Sequence, residues 1–136
     1  MLVALELTII RLCWTFNFDY AHYVLAGVIW SLGWCMVLLA AIVRLPLPAI
    51  AALGVVLIAG HDSIPLLLHG QTAGLLATPA GPWLRVLYFG GAFTLGGTPE
   101  PNAFVLYSIV PWVGVMSAGY AFGRVMTREP SARREA

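Results

Sequence analysis

The sequence predicts an all-α fold: a polytopic transmembrane helical bundle, partial in extent, of about 3–4 spans with an interfacial helix. Three observations predict it. First, 60% of the 136 residues are hydrophobic and 10% are charged, against about 45–50% and about 25% in a soluble domain. Second, the mean hydropathy is +0.88. Third, residues 23–43 and 103–123 are runs of 21 residues without a charge, long enough to cross a bilayer. The same balance argues against a soluble cytosolic protein, a nucleic-acid binder and a disordered chain.

The elements follow in order. Residues 2–14 are apolar except for Glu6 and Arg11. Thirteen residues cover roughly 20 Å of a bilayer core of about 30 Å, so they read as the second half of a span. Neither a basic start nor a small-residue cleavage site marks them as a signal peptide. The chain is therefore expected to be a fragment of a longer protein. Residues 15–22 are a polar and aromatic loop, and 23–43 are the clearest transmembrane helix, closed by Arg44. Leu45-Pro46-Leu47-Pro48 is a turn, because proline disfavours helix in the residue before it. Residues 49–60 form a short span that His61-Asp62-Ser63-Ile64-Pro65 ends. Residues 83–95, with Arg85 near their start, suit an interfacial or re-entrant helix, and 96–102 a turn. Residues 103–123 are the second strong span, with Pro111 expected to kink it.

Seven arginines stand against six acids, with no lysine. Placing the arginine-rich tail in the cytoplasm puts Arg44, Arg124, Arg128, Arg133 and Arg134 inside and Arg11 and Arg85 outside, as the positive-inside rule asks. Arg11, Asn17, Asp19, His22, His61, Asp62, His69 and Arg85 then collect on the outer side. Ionisable residues are rare in so apolar a chain, so a one-sided group of them suggests a site.

Each has two readings. Asp19 and His22 are three residues apart and can share a face. The carboxylate either orients an imidazole for general-base work or caps the next helix. His61 either moves a proton or contacts a substrate amine, or else answers the negative end of a helix dipole. His69 reads as plain loop. Arg11 either pairs with Glu6 or holds an anionic group as a two-pronged donor. Glu6 lies deeper and needs a partner or a polar cavity. His22, His61 and His69 do not have a zinc-ligand spacing, and no metal is expected. Cys13 and Cys35 fit neither a disulfide nor a metal pattern. Trp14, Tyr20 and Tyr23 suit an interfacial belt. Gly27, Ser31, Gly114, Ala118, Gly119 and Gly123 lie on spacings that allow close helix contact, including self-association.

Arg11-Leu-Cys-Trp-Thr-Phe-Asn-Phe-Asp-Tyr20, the run from Leu25 to Met36, Ile58-Ala-Gly-His-Asp62, Leu84-Arg-Val-Leu-Tyr-Phe-Gly-Gly91 and Leu106-Tyr-Ser-Ile-Val-Pro-Trp-Val-Gly-Val-Met116, with Gly119-Tyr-Ala-Phe-Gly123, occur in this order. In that combination the chain resembles the bacterial membrane proteins related to heparan-α-glucosaminide N-acetyltransferase, over about residues 5–126. The resemblance implies acetyl-CoA as acyl donor and an amino sugar or other amine or hydroxyl acceptor at the outer face. It also implies a plasma-membrane location, multi-pass, with the carboxyl terminus cytoplasmic. The family's catalytic histidine follows an aspartate in a segment ahead of the residues present here, so this chain is expected to be inactive alone. Asp62 departs from the asparagine that bacterial relatives often carry after the histidine.

The expected organisation is a partial acyltransferase-like domain over 1–126 and a polar cytoplasmic tail over 127–136. His61 and His22 are the candidate catalytic residues, and Arg11, Asn17 and Asp19 the candidate substrate-binding ones. Transfer needs a base for the acceptor's proton and donors for the oxyanion. Membrane lipid, the small acceptor and a second helix are the expected partners, and nucleic acid is not. Two other classes remain open: a non-catalytic membrane module that packs with partner helices, and a small transporter component, which Pro111 and the outer histidines suggest.

Overall fold

Residues 2–15 wind into one continuous helical rod of three segments. These are α1 (Leu2–Leu5), a π-helical turn (Glu6–Ile10) and α2 (Arg11–Thr15). Leu5, Ile10 and Arg11 keep right-handed helical dihedrals across the junctions. The rod stops at Phe16, whose φ of 50° is left-handed, an αL helix ending of the kind glycine usually supplies. The computed structural model describes residues 1–68, 70–96 and 100–127, without the side chains of Asp62 and Pro65. His69 and the tail residues from Arg128 onward, with Arg133 and Arg134, lie outside the described residues.

After the loop that starts at Phe16 come β1 (Val24–Ala26), α3 (Val28–Ile42), α4 (Leu47–Leu67) and the short helices α5 (Thr72–Leu76) and α6 (Gly81–Leu84). A second π-helical turn (Arg85–Phe89) leads to β2 (Gly91–Phe93), β3 (Ala103–Val105) and α7 (Ile109–Met126). The three strands form one sheet in the order β1-β3-β2. β1 and β3 are parallel, with Val24 opposite Ala103 and Ala26 opposite Val105. β2 and β3 are antiparallel, with Phe93 opposite Ala103. Asn102 locks the β2–β3 connection: its side-chain oxygen accepts the Leu95 amide at 2.6 Å and its amide donates to the Leu95 carbonyl at 3.0 Å.

The all-α transmembrane bundle expected from the sequence is thus corrected. The fold is mixed, helices with a small sheet, and among the described residues no helix is long and apolar enough to cross a membrane. The cause lies at the start of each uncharged run. Residues 24–26 and 103–105 are not the first turns of spans but the paired strands β1 and β3. What remains of the first run is α3, 15 residues, or about 22 Å at about 1.5 Å per residue, short of a bilayer core of about 30 Å. The second run becomes α7, where proline, glycine, serine, tyrosine and Arg124 interrupt the apolar residues. An uncharged run has the same composition whether its first residues are helix or buried strand.

Two further boundaries move. α4 does not stop at Gly60 but runs on through His61 to Leu67. Pro111 does not kink the middle of a helix. It is the third residue of α7, in the first turn, where the amide proline lacks would have no intrahelical partner.

Ala26, Trp30, Cys35, Phe93, Ala103, Val105, Ile109 and Val113 form the core, between the sheet and helices α3 and α7. α7 also packs closely on α4. A Cβ on Gly54 would meet the Ala118 nitrogen at 2.7 Å, and one on Gly114 would meet Leu57 Cβ at 2.8 Å. Of the small residues picked out in the sequence, Gly114 and Ala118 make this contact, whereas among the described residues nothing lies within 4 Å of a Cβ placed on Gly119 or Gly123.

Candidate functional site

The rod's π turn decides which of its side chains point inward. In an α-helix, residues five apart do not share a face. A π turn bonds i to i+5 and so stacks residues five apart. Glu6 and Arg11 bound that turn, and both are buried, at 4% and 1% exposure. Turns of this kind recur at functional sites.

Arg11 organises the loop that follows. Its Nη1 donates to the Asn17 carbonyl at 2.7 Å and its Nη2 to the Asp19 carbonyl at 2.6 Å. Its guanidinium also lies over the ring of Tyr20, 4.3 Å from the centroid, and 5.5 Å from that of Tyr23, so the charge is shielded by two aromatic faces. Tyr20 returns to the rod, its hydroxyl donating to the Thr8 carbonyl at 3.2 Å. The loop is thereby tied both to α2, through Arg11, and to the π turn, through Thr8.

Within the loop the polar side chains fold onto the chain's own amides, as asparagine and aspartate do in turns. Asn17 Oδ1 accepts the Asp19 amide at 2.7 Å. Asp19 Oδ1 accepts the amides of Ala21 at 3.2 Å and His22 at 3.0 Å. The same carboxylate stands 2.9 Å from His22 Nδ1. Asp19 therefore caps a turn rather than the next helix, and the same carboxylate holds the His22 ring. The hydrogen bonds from the His22 amide, then from its ring, hold the Asp19 carboxyl below its ordinary range. The dyad faces outward, with the His22 and Asp19 side chains 72% and 48% exposed. With Nδ1 on the carboxylate, Nε2 is the ring atom directed away from it.

Arg11, Asn17, Asp19 and His22 are thus brought together. His61 is not part of this group. Its ring lies against Tyr88, centroids 4.8 Å apart. The Tyr88 hydroxyl is 3.1 Å from the Gly60 carbonyl and 2.8 Å from the His61 carbonyl. His61 sits inside α4 rather than at its end, so it does not answer that helix's dipole. Its Nδ1 is buried without a hydrogen-bond partner among the described residues. Among the described residues no three His, Cys, Asp or Glu side chains gather as metal ligands.

Glu6 pairs with main chain rather than with Arg11. It accepts hydrogen bonds from the amides of Gly27 and Ile29, at the start of α3, where helix amides lack partners. A side chain on Gly27 would overlap Glu6 Oε1, so the carboxylate needs glycine there. Burial raises the Glu6 carboxyl above its ordinary value, against the lowering effect of the two amides. Tyr20, Tyr88 and Gly27 went unassigned in the sequence as site residues. The Tyr88–His61 pairing spans 27 positions, and no local signal announces it.

A family model described as Heparan-alpha-glucosaminide N-acetyltransferase, catalytic, matches residues 1–136. No curated protein and no solved structure matches the chain.

Proposed function

The chain belongs to the heparan-alpha-glucosaminide N-acetyltransferase catalytic family, and from that premise we propose that it is part of an acetyl-CoA-dependent acetyltransferase acting on an amino sugar or similar amine. The observation that carries the reading is the Asp19–His22 pair at 2.9 Å, on a loop that Arg11 clamps from below. Asp19 fixes the ring orientation, and His22 Nε2 takes a proton from the acceptor amine as its nitrogen attacks the thioester carbonyl. The C–N bond forms, the C–S bond breaks, and the CoA thiolate is released to take up a proton. A positioned base of this kind contributes typically 10²–10⁴-fold.

Asn17 and Asp19 shape the acceptor's approach, and Arg11 acts through the loop backbone it holds. His61 is the second candidate base, presented from α4 against Tyr88. The reading includes a membrane location, supported by the apolar composition and by exposed apolar side chains such as Val37, Val55, Val56 and Phe122. The same side chains favour the second reading, a non-catalytic module that packs against partner helices.

Incubating membranes that carry the full-length protein with labelled acetyl-CoA and glucosamine separates the two readings. Acetyl transfer that His22→Ala reduces supports the enzyme. No transfer above a mock preparation supports the module.

A further inference from the structure

α4 contains a break in its own hydrogen bonding. The helix runs Leu47–Leu67 and includes Pro65. In an α-helix each carbonyl accepts the amide four residues on, so the His61 carbonyl should take its proton from residue 65. Proline has no N–H to give, and inside a helix it leaves that carbonyl without its donor. The Tyr88 hydroxyl stands 2.8 Å from this oxygen and 3.1 Å from the neighbouring Gly60 carbonyl. The shorter contact, of ordinary O–H···O length, goes to the oxygen that proline deprives. Gly60 faces Ile64, which does carry an amide.

The ring of Tyr88 meets the same residue. It is tilted 53° to the His61 imidazole, with centroids 4.8 Å apart, and it packs edge-on to Phe89 at 4.8 Å. Tilted and edge-on pairs at this spacing are favourable. One side chain therefore touches both the main-chain oxygen and the ring of His61. Nδ1 of that ring is buried without a hydrogen-bond partner among the described residues. Among them the contact that orients the imidazole is thus the tyrosine ring rather than a hydrogen bond at Nδ1. Phenylalanine at 88 would keep the ring contact and lose the donor.

We propose that Tyr88 is the positioning residue of His61: its hydroxyl stands in for the amide that Pro65 lacks, and its ring sets the imidazole. The claim stands independently of the acetyl-transfer reading. On that reading, Tyr88 is the residue through which the second candidate base is held.

The test is a cycle of three variants of the full chain, Tyr88→Phe, Pro65→Ala and the two together, read by NMR. Pro65→Ala returns an amide to residue 65 and so supplies the His61 carbonyl from within the helix. Tyr88→Phe removes the hydroxyl and keeps the ring. With Pro65 present, Tyr88→Phe should speed hydrogen exchange of the Ile64, Leu66 and Leu67 amides at least tenfold. It should also abolish cross-relaxation between the ring protons of His61 and those of residue 88. In the Pro65→Ala chain the same change should alter exchange less than twofold and leave the cross-relaxation in place. Should Tyr88→Phe fold only in the Pro65→Ala chain, the proposal is supported, because the restored amide has replaced the hydroxyl. Unchanged exchange or retained cross-relaxation with Pro65 present would overturn it. So would equal losses in both backgrounds, or unfolding in both, since Pro65 would then have no part in what Tyr88 does.

Discussion

Asp19 and His22 touch twice: the carboxylate accepts the His22 amide at 3.0 Å and meets its ring Nδ1 at 2.9 Å. One side chain therefore sets both the backbone and the ring orientation of the other. The pair also makes the loop acid-sensitive. The folded Asp19 carboxyl titrates below its ordinary value. Its contribution is therefore fully present above the unfolded value and is lost as pH falls through the folded one. Asp19→Asn should flatten the acid limb of stability below about pH 4, as read by denaturant unfolding across that range. An unchanged limb would show that the pair does not couple to folding.

Arg11 reaches two carbonyls six and eight residues away. Removing it leaves both without a donor and takes a buried guanidinium off the Tyr20 ring. Arg11→Ala should cost about 1–3 kcal/mol, since the exposed loop can recover part of the loss from water. Arg11→Lys should recover little, because one ammonium cannot reproduce the two-pronged geometry. Chemical denaturation measures both. Equal stability of wild type and Arg11→Lys would contradict the clamp.

Glu6 bears the opposite sign from Asp19. Its folded carboxyl titrates above the ordinary value of 4.5, so the native state holds its proton longer than the unfolded chain does. Stability should fall as pH rises from 4.5 to the folded value, then level off. Glu6→Gln removes this slope and should gain relative to wild type at neutral pH. Parallel unfolding curves for the two proteins across that window would contradict the raised titration.

The contact between α4 and α7 depends on Gly54, because a Cβ there lies 2.7 Å from main chain of Ala118. A backbone neighbour cannot swing aside as a side-chain tip can. Gly54→Ala should destabilise by about 1–3 kcal/mol through overpacking, whereas Gly119→Ala, with open space around it, should be neutral or mildly stabilising through helix propensity. A thermal-shift comparison of the two decides the point.

What the sequence revealed depended on range. Asp19 and His22 are three residues apart, and their pairing follows from local geometry alone. The need of Glu6 for a partner also followed, since a charge among apolar residues must be satisfied. The partner itself did not, because the Gly27 and Ile29 amides become available only once α3 starts where it does. The π turn that aligns Glu6 with Arg11 has no sequence signature. The strands at 24–26 and 103–105 were invisible for a related reason. Three apolar residues fit either structure, and only their pairing with each other, 79 positions apart, makes them strands. Reading them as helix lengthened both runs into spans. The break before α4 and the loop after Phe16 were legible because proline, asparagine and aspartate act locally, although Leu47 and Pro48, expected in the turn, are the first residues of α4 and Thr15 still belongs to α2.

The central claim is that His22, oriented by Asp19, takes the acceptor's proton in acetyl transfer. A double-mutant cycle on the rate of labelled acetyl transfer to glucosamine tests it most directly. His22→Ala should lower the rate by about 10²–10⁴, Asp19→Asn by less, and the double variant no further than His22→Ala alone, because Asp19 acts through the ring. Full activity in His22→Ala, or independent losses that multiply in the double variant, would contradict it.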